Sequence, residues 1–180
     1  IRAVSVPILD EGGLAVSSSR IRAALKEGNV SDASTMLGRP FTVSGTVIEG
    51  DRRGRTIGFP TANITMGEMQ QPAFGVYSVA VRLADQPEAP LKAGVANIGR
   101  RPSVNDRGVL LESNLFDYDG DLYGQRLNVM LLDYIRPEKA FDGLDALKQQ
   151  IELDAAAARG LHAKTTGLTQ QDCIHPDKRP

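Results

Sequence analysis

Thr61 and Asn63 place a hydroxyl and an amide oxygen two residues apart, directly after a rigid proline, in the run Gly58-Phe59-Pro60-Thr61-Ala62-Asn63. Oxygens of this kind bind hard cations. Just upstream, Gly50, Gly54 and Gly58 are interleaved with Arg52, Arg53 and Arg55. A loop of that composition can lay backbone N–H groups and guanidinium charge along phosphates, so the two features together point to a metal–nucleotide site. No lysine lies between Lys26 and Lys92, which argues against a Walker-type loop, whose lysine reaches the outer phosphates. The same residues also suit a surface hairpin in which the glycines make turns and the arginines are solvated.

A general base is sought next. The two histidines, His162 and His175, and the single Cys173 all fall beyond the last predicted helix. A base within the strand-rich region is therefore expected to be a carboxylate, and any metal an oxygen-bound Mg²⁺ or Mn²⁺ rather than Zn²⁺. Glu112 is the leading candidate, because it interrupts Val109-Leu110-Leu111 and Leu115-Phe116 in the middle of a predicted strand. By period two it shares a face with Leu110, Asn114 and Phe116; that face is either solvent-exposed or a place where a charge is costly unless used. Asp117, Asp119 and Asp121 resemble the start of a calcium loop, but the twelfth position is Asn128 rather than glutamate, and an EF-hand is rejected. Arg136-Pro137-Glu138-Lys139-Ala140-Phe141 offers two cations and an aromatic ring in one short loop, or else a solvated approach to the following helix.

The elements that must position these residues are legible from their periods. Ser17 to Ser19 are suited to cap a helix burying Ile21, Ala24 and Leu25 and ending at Gly28. A second helix, capped by Ser31 or Asp32 and burying Ala33, Met36 and Leu37, ends at Gly38. The boundary is expected at Gly38-Arg39-Pro40. From Phe41 the period changes to two: Phe41, Val43 and Val47 alternate with polar residues, and Tyr77, Val79, Val81 and Leu83 share a face. Residues 91–98, 109–118 and 127–135 continue the β-type pattern, so at least five strands follow without intervening helices, favouring an antiparallel barrel over a sandwich. A helix from about Asp142, with Leu144, Leu147, Ile151 and Ala155 on one stripe, is expected to end at Gly160, and a polar tail follows.

Composition bounds the rest. The chain has 180 residues, formal net charge −1, 41% hydrophobic residues and no tryptophan. This suits one globular domain and argues against a dedicated nucleic-acid surface, which carries basic excess and aromatic platforms. A lone cysteine excludes an intrachain disulfide and points to a reducing, cytoplasmic location. No apolar run reaches the roughly 18 to 20 residues that span a bilayer, so no membrane role is expected. Ile1 in place of an initiator methionine suggests a fragment of something larger.

Several segments in order resemble one family: Gly54-Arg55-Thr56-Ile57-Gly58-Phe59-Pro60-Thr61-Ala62-Asn63, Gly75-Val76-Tyr77, Asn97-Ile98-Gly99-Arg100-Arg101-Pro102, Leu111-Glu112, Asp121-Leu122-Tyr123-Gly124 and Ile135-Arg136-Pro137-Glu138. Their order and spacing are similar to the riboflavin kinase domain, over about Arg39 to Arg159. Val16 to Arg22 resembles the final motif of the FMN adenylyltransferase domain that precedes this kinase in bacterial bifunctional FAD synthetases. The resemblance implies a mainly β fold, a six-stranded antiparallel Greek-key barrel with a C-terminal α-helix and short N-terminal helices. It divides the chain into residues 1–38, a remnant of the adenylyltransferase domain, 39–160, the kinase barrel and helix, and 161–180, a tail.

The activity it implies is transfer of the γ-phosphoryl of ATP to the ribityl 5′-hydroxyl of riboflavin, giving FMN and ADP with Mg²⁺ or Mn²⁺; FAD synthesis is not expected. Glu112 matches the catalytic base, and Thr61 and Asn63 match the metal site. Gly50, Arg55, Thr61, Leu115, Asp117 and Tyr123 fall at nucleotide-binding positions, and Arg136, Lys139 and Phe141 at flavin-binding ones. Many members carry histidine two residues after the glutamate, where this chain has Asn114. Two other readings remain beside the kinase. One is a non-catalytic flavin or nucleotide-binding module left by truncation; the other is an oligonucleotide-binding barrel, which the charge and aromatic counts disfavour.

Overall fold

Alternating apolar residues in the strands fold around a single interior, as the computed structural model shows for residues 10–11, 14–50, 58–100 and 108–164. A two-stranded ladder of β1 (Asp10–Glu11) and β2 (Leu14–Ala15) leads into α1 (Ser18–Lys26) and α2 (Val30–Leu37). Six strands follow: β3 (Phe41–Thr46), β4 (Ala62–Thr65), β5 (Gly75–Leu83), β6 (Lys92–Arg100), β7 (Val109–Leu115) and β8 (Arg126–Pro137). The final element is α3 (Leu144–Lys164). The sheet order is β3-β8-β5-β6-β7-β4, with antiparallel pairing throughout. Within it, β5, β6 and β7 form a meander and β8 returns beside β5, which is the Greek-key arrangement.

The barrel closes where the chain leaving β3 meets β4. Ile48 forms a bridge to Asn63, its N–H donating to the Asn63 carbonyl at 2.9 Å. β4 was not among the strands expected from periodicity. It is four residues long, too short to show alternation, and its pairing partner β7 lies far along the chain. Likewise the 109–118 run is a strand only to Leu115, with the Phe116 N–H still donating to the Ala93 carbonyl at 2.9 Å before Asp117 adopts φ 54° and turns the chain.

Val43, Ile64, Tyr77, Val79, Val81, Ile98, Leu111, Val129 and Leu131 are fully buried inside the barrel. The core also takes in Leu25, Val30 and Ala33, so the two N-terminal helices pack on the barrel rather than beside it. Their junction is further tied by the Ala73 N–H donating to the Leu25 carbonyl at 2.8 Å and by the Tyr134 ring lying against Gly28. The cap of α2 is Asn29, whose Oδ1 accepts from the Asp32 N–H, rather than Ser31 or Asp32; the helix starts two or three residues earlier, and its first residue, Val30, is buried in the core.

On the outer side, Val76 of β5, Val95 of β6 and Phe116 form a second apolar cluster beneath Ala158 of α3. β5 is therefore buried on both faces, where period two alone anticipated one. α3 does not stop at Gly160 but continues to Lys164. Glycine in a helix interior costs about 1 kcal/mol relative to alanine, which the anchoring beyond it offsets: His162, expected outside the strand region, donates from Nε2 to the Val79 carbonyl of β5 at 2.9 Å. The buried stripe of α3 runs through Asp154 and Ala158, while Leu144, expected within it, is 67% exposed.

Asp154 is the polar anchor of this helix. Arg136 of β8 donates to it bidentately, Nε to Oδ1 at 2.8 Å and Nη2 to Oδ2 at 2.6 Å, and Gln150 adds a third bond at 3.0 Å. Truncating one partner leaves the other's charge poorly solvated. Asp154→Ala is expected to lower stability by about 2–3 kcal/mol in urea unfolding; a change below about 0.5 kcal/mol would class the pair with ordinary surface ion pairs.

Candidate active site

Strand register builds the site. Asn63 of β4 lies directly opposite Glu112 of β7, and Glu112 lies directly opposite Asn97 of β6. Directly opposed residues have Cβ atoms about 4.5–5.5 Å apart on the same face. Because Ala62 and Ile64 on one strand and Leu111 and Ser113 on the other point inward, Asn63, Glu112 and Asn97 form one polar row on the outer face. The row continues through Val76 to Arg136, again by direct pairing. One carboxylate thus stands between two carboxamides, on a rigid sheet.

Next to Asn63 a cleft of about 630 Å³, including its open mouth, is walled on the strand side by Pro60, Thr61 and Asn63 with the inward-facing Ala62, Ser113 and Leu115, and opposite by the 118–123 loop; Glu112 does not line it. That loop is held in shape by the Asp121 carboxylate, which accepts from the Tyr123 N–H at 3.0 Å. Thr61, Asn63, Leu115 and Tyr123, four residues assigned to nucleotide or metal by sequence, come together here. Thr61 Oγ1 and Asn63 Oδ1 are neutral oxygen donors, and among the described residues no cluster of three or more His, Cys, Asp or Glu could cage a metal alone. That donor set suits Mg²⁺, which keeps waters and takes its charge neutralisation from substrate phosphates.

Gly50 contributes through closeness. A β-carbon on it would stand 2.4 Å from Asn63 Nδ2, so its backbone is the floor against which the Asn63 amide rests. Arg55 lies outside the described residues. Asp117 does not line the cleft; its carboxylate accepts from both terminal nitrogens of Arg159, at 3.1 and 3.2 Å, while that guanidinium lies 4.1 Å from the centre of the Phe116 ring. The hydrogen bonds and charge of Arg159 hold the Asp117 carboxyl below the usual range and raise Arg159 in turn.

At the other end, Arg136 and Lys139 lie 5.7 and 5.8 Å from the centre of the Phe141 ring. These three residues do meet, although Arg136 is also committed to Asp154. Two further groups belong to this end and were not singled out from sequence, Asn97 and Glu138. A β-carbon on Gly99 would stand 2.0 Å from Glu138 Oε1 and 3.2 Å from Asn97 Nδ2, so only glycine leaves room for that carboxylate over β6. Both residues sit in the recurrent segments quoted above, but their meeting depends on how the loop after β8 lies against β6.

A riboflavin kinase family model (Flavokinase) matches residues 37–162. The bifunctional riboflavin kinase/FMN adenylyltransferase of Escherichia coli (strain K12) is 47% identical over 149 residues, covering 83% of this chain and 47% of that protein. The chain therefore spans about half the length of such relatives. A Streptococcus pneumoniae crystal structure described as a macrolide-efflux protein aligns at TM-score 0.75 with 36% identity, over 86% of this chain and 50% of that one. Among the described residues no helix is long and apolar enough to cross a membrane. The crystal structure of riboflavin kinase from Trypanosoma brucei shares the fold at TM-score 0.51, with 24% identity over 71% of this chain and 83% of that one.

The floor provided by Gly50 can be tested directly. Its φ is not positive, so alanine brings no backbone strain, but its β-carbon overlaps Asn63 Nδ2 and must push that amide aside. Displacing the Asn63 amide should weaken Mg²⁺–ADP binding about tenfold, the scale of one lost polar contact, as measured by calorimetry. Unaltered affinity in Gly50→Ala would show that the Asn63 amide does not depend on that floor.

Proposed function

Since the chain belongs to the riboflavin kinase family, we propose that it transfers the γ-phosphoryl group of ATP to the ribityl 5′-hydroxyl of riboflavin, yielding FMN and ADP. The observation that carries this reading is the direct pairing of Glu112 with Asn63, which sets a carboxylate beside the oxygens suited to a phosphate-bound metal.

Glu112 orients the 5′-hydroxyl and accepts its proton as the ribityl oxygen forms its bond to the γ-phosphorus and the bond to the β,γ-bridging oxygen breaks. Thr61 and Asn63 would hold Mg²⁺, or Mn²⁺ in its place; the ion when bound neutralises charge on the phosphates. Leu115 and Tyr123 supply the wall for the nucleotide, and Gly50 and Arg55 the loop over its phosphates. Asp117 is assigned to the nucleotide side by resemblance alone, its carboxylate being bridged to Arg159 away from the cleft. Phe141 offers its ring to the flavin, with Arg136 and Lys139 providing positive charge around it. Positioning supplies much of the rate, because the hydroxyl and the phosphoryl group are held by adjacent strands of one sheet. In this reading residues 1–38 close an adenylyltransferase domain, residues 39–160 form the kinase unit, residues 161–180 form a tail, and the protein works in the cytoplasm.

With ATP, Mg²⁺ and riboflavin the purified chain should accumulate FMN without FAD. Glu112→Gln preserves shape but removes the proton acceptor. It should reduce kcat about 10²–10⁴-fold while the KM values for riboflavin and ATP change little. Undiminished turnover in that variant would remove Glu112 as the base.

A further inference from the structure

We propose that Asn114 is a positioning residue that fixes the nucleotide-binding end of β4 relative to Glu112, an inference that rests on the kinase reading of Thr61. The β4–β7 ladder ends at the pair Ala62 and Ser113. Continuing the same register sets Thr61 opposite Asn114, one step beyond the last backbone pair. There the backbone has no ladder partner, and Pro60 has no N–H to offer, so its carbonyl is its only backbone hydrogen-bonding group. Asn114 supplies what the ladder lacks: its Nδ2 donates to the Pro60 carbonyl at 2.7 Å, across 54 residues of sequence.

This bond prolongs the pairing of β4 with β7 by a side chain. It pins the peptide immediately before Thr61, and it does so from the strand and the face that carry Glu112, two residues away. The separation between the base and the Thr61 hydroxyl is therefore set by a ladder on one side and by the Asn114 amide on the other. Removing the amide donor leaves the barrel core intact, since Asn114 is outward-facing and half-buried, but frees the Pro60–Thr61 segment to move. A misplacement of about 1 Å at a positioning group can cost on the order of 10²-fold in rate.

The test compares Asn114→Ala, Asn114→Asp and Asn114→His in the purified chain. Aspartate has the size of asparagine but cannot donate when ionised, and it sets a charge against a carbonyl oxygen. Histidine Nδ1 stands as many bonds from the backbone as asparagine Nδ2 and can carry the proton. Alanine and aspartate should raise the half-saturating Mg²⁺ concentration and the KM for ATP about 5–15-fold, the scale of one hydrogen bond. The KM for riboflavin should stay within about twofold, and histidine should recover most of the loss. Calorimetric titration with Mg²⁺–ADP, without riboflavin, should show the same order of affinities.

Equal affinities in wild type and Asn114→Ala, at matched melting temperatures, would overturn the proposal. So would parallel weakening of riboflavin and nucleotide, which marks general loosening, or wild-type protein that binds no Mg²⁺–ADP. Should the wild type bind Mg²⁺–ADP but make no FMN, the kinase reading fails while the titration series still decides the role of Asn114.

Discussion

The site depends on one register, that of β4 against β7. A slip by a single residue would turn Asn63 into the barrel and carry its neighbours outward, because side chains alternate with period two. What prevents the slip is apolar: Ile64 and Leu111 are fully buried on the inner face, and burial of such a side chain is worth roughly 1.5–3 kcal/mol. The hydrophobic core thereby specifies, at no cost to the polar residues themselves, which carboxamide faces which carboxylate. Chemistry on the outer face is aligned by packing on the inner one.

A long helix supports the same sheet from outside. α3 covers β5 and β6 through Val76, Val95 and Ala158, and it is fastened at three points by Arg136 to Asp154, Arg159 to Asp117 and His162 to the Val79 carbonyl. The segment carrying Lys139 and Phe141 runs between β8 and this helix, so both of its ends are anchored. The Lys139–Phe141 end of the candidate site thus has a fixed frame although its residues lie in a loop. Arg136 joins both roles, clamping the helix and extending its charge toward the Phe141 ring.

Sequence reasoning was strongest where period and burial coincide. The alternation in β3, β5, β6, β7 and β8 could be read directly, as could Leu25 on α1 and the prominence of Glu112 within an apolar strand. It was weakest where a partner lies far along the chain. β4 has too few residues to display a period, and neither Asn97 nor Glu138 acquires meaning until β6, β7 and the loop after β8 are set against one another. Asn114 was noticed only as a departure from a family pattern; its bond to Pro60 reaches across 54 residues of sequence and has no local signature. Gly160 misled for a different reason. Local helix propensity is weak compared with tertiary anchoring, and His162 lies one turn too late to be suspected of holding the helix.

The burial of Leu25, Val30 and Ala33 together with the barrel interior has a bearing on how this molecule unfolds. The match to the riboflavin kinase family model begins at residue 37, yet these three side chains, which precede it, belong to the same apolar interior as Tyr77 and Val79. The stretch matched by that model is thus smaller than the unit that shares one packed interior. The hairpin of α1 and α2 contributes to that interior, so changes there are felt by the barrel as loss of cohesion rather than as damage to an appendage.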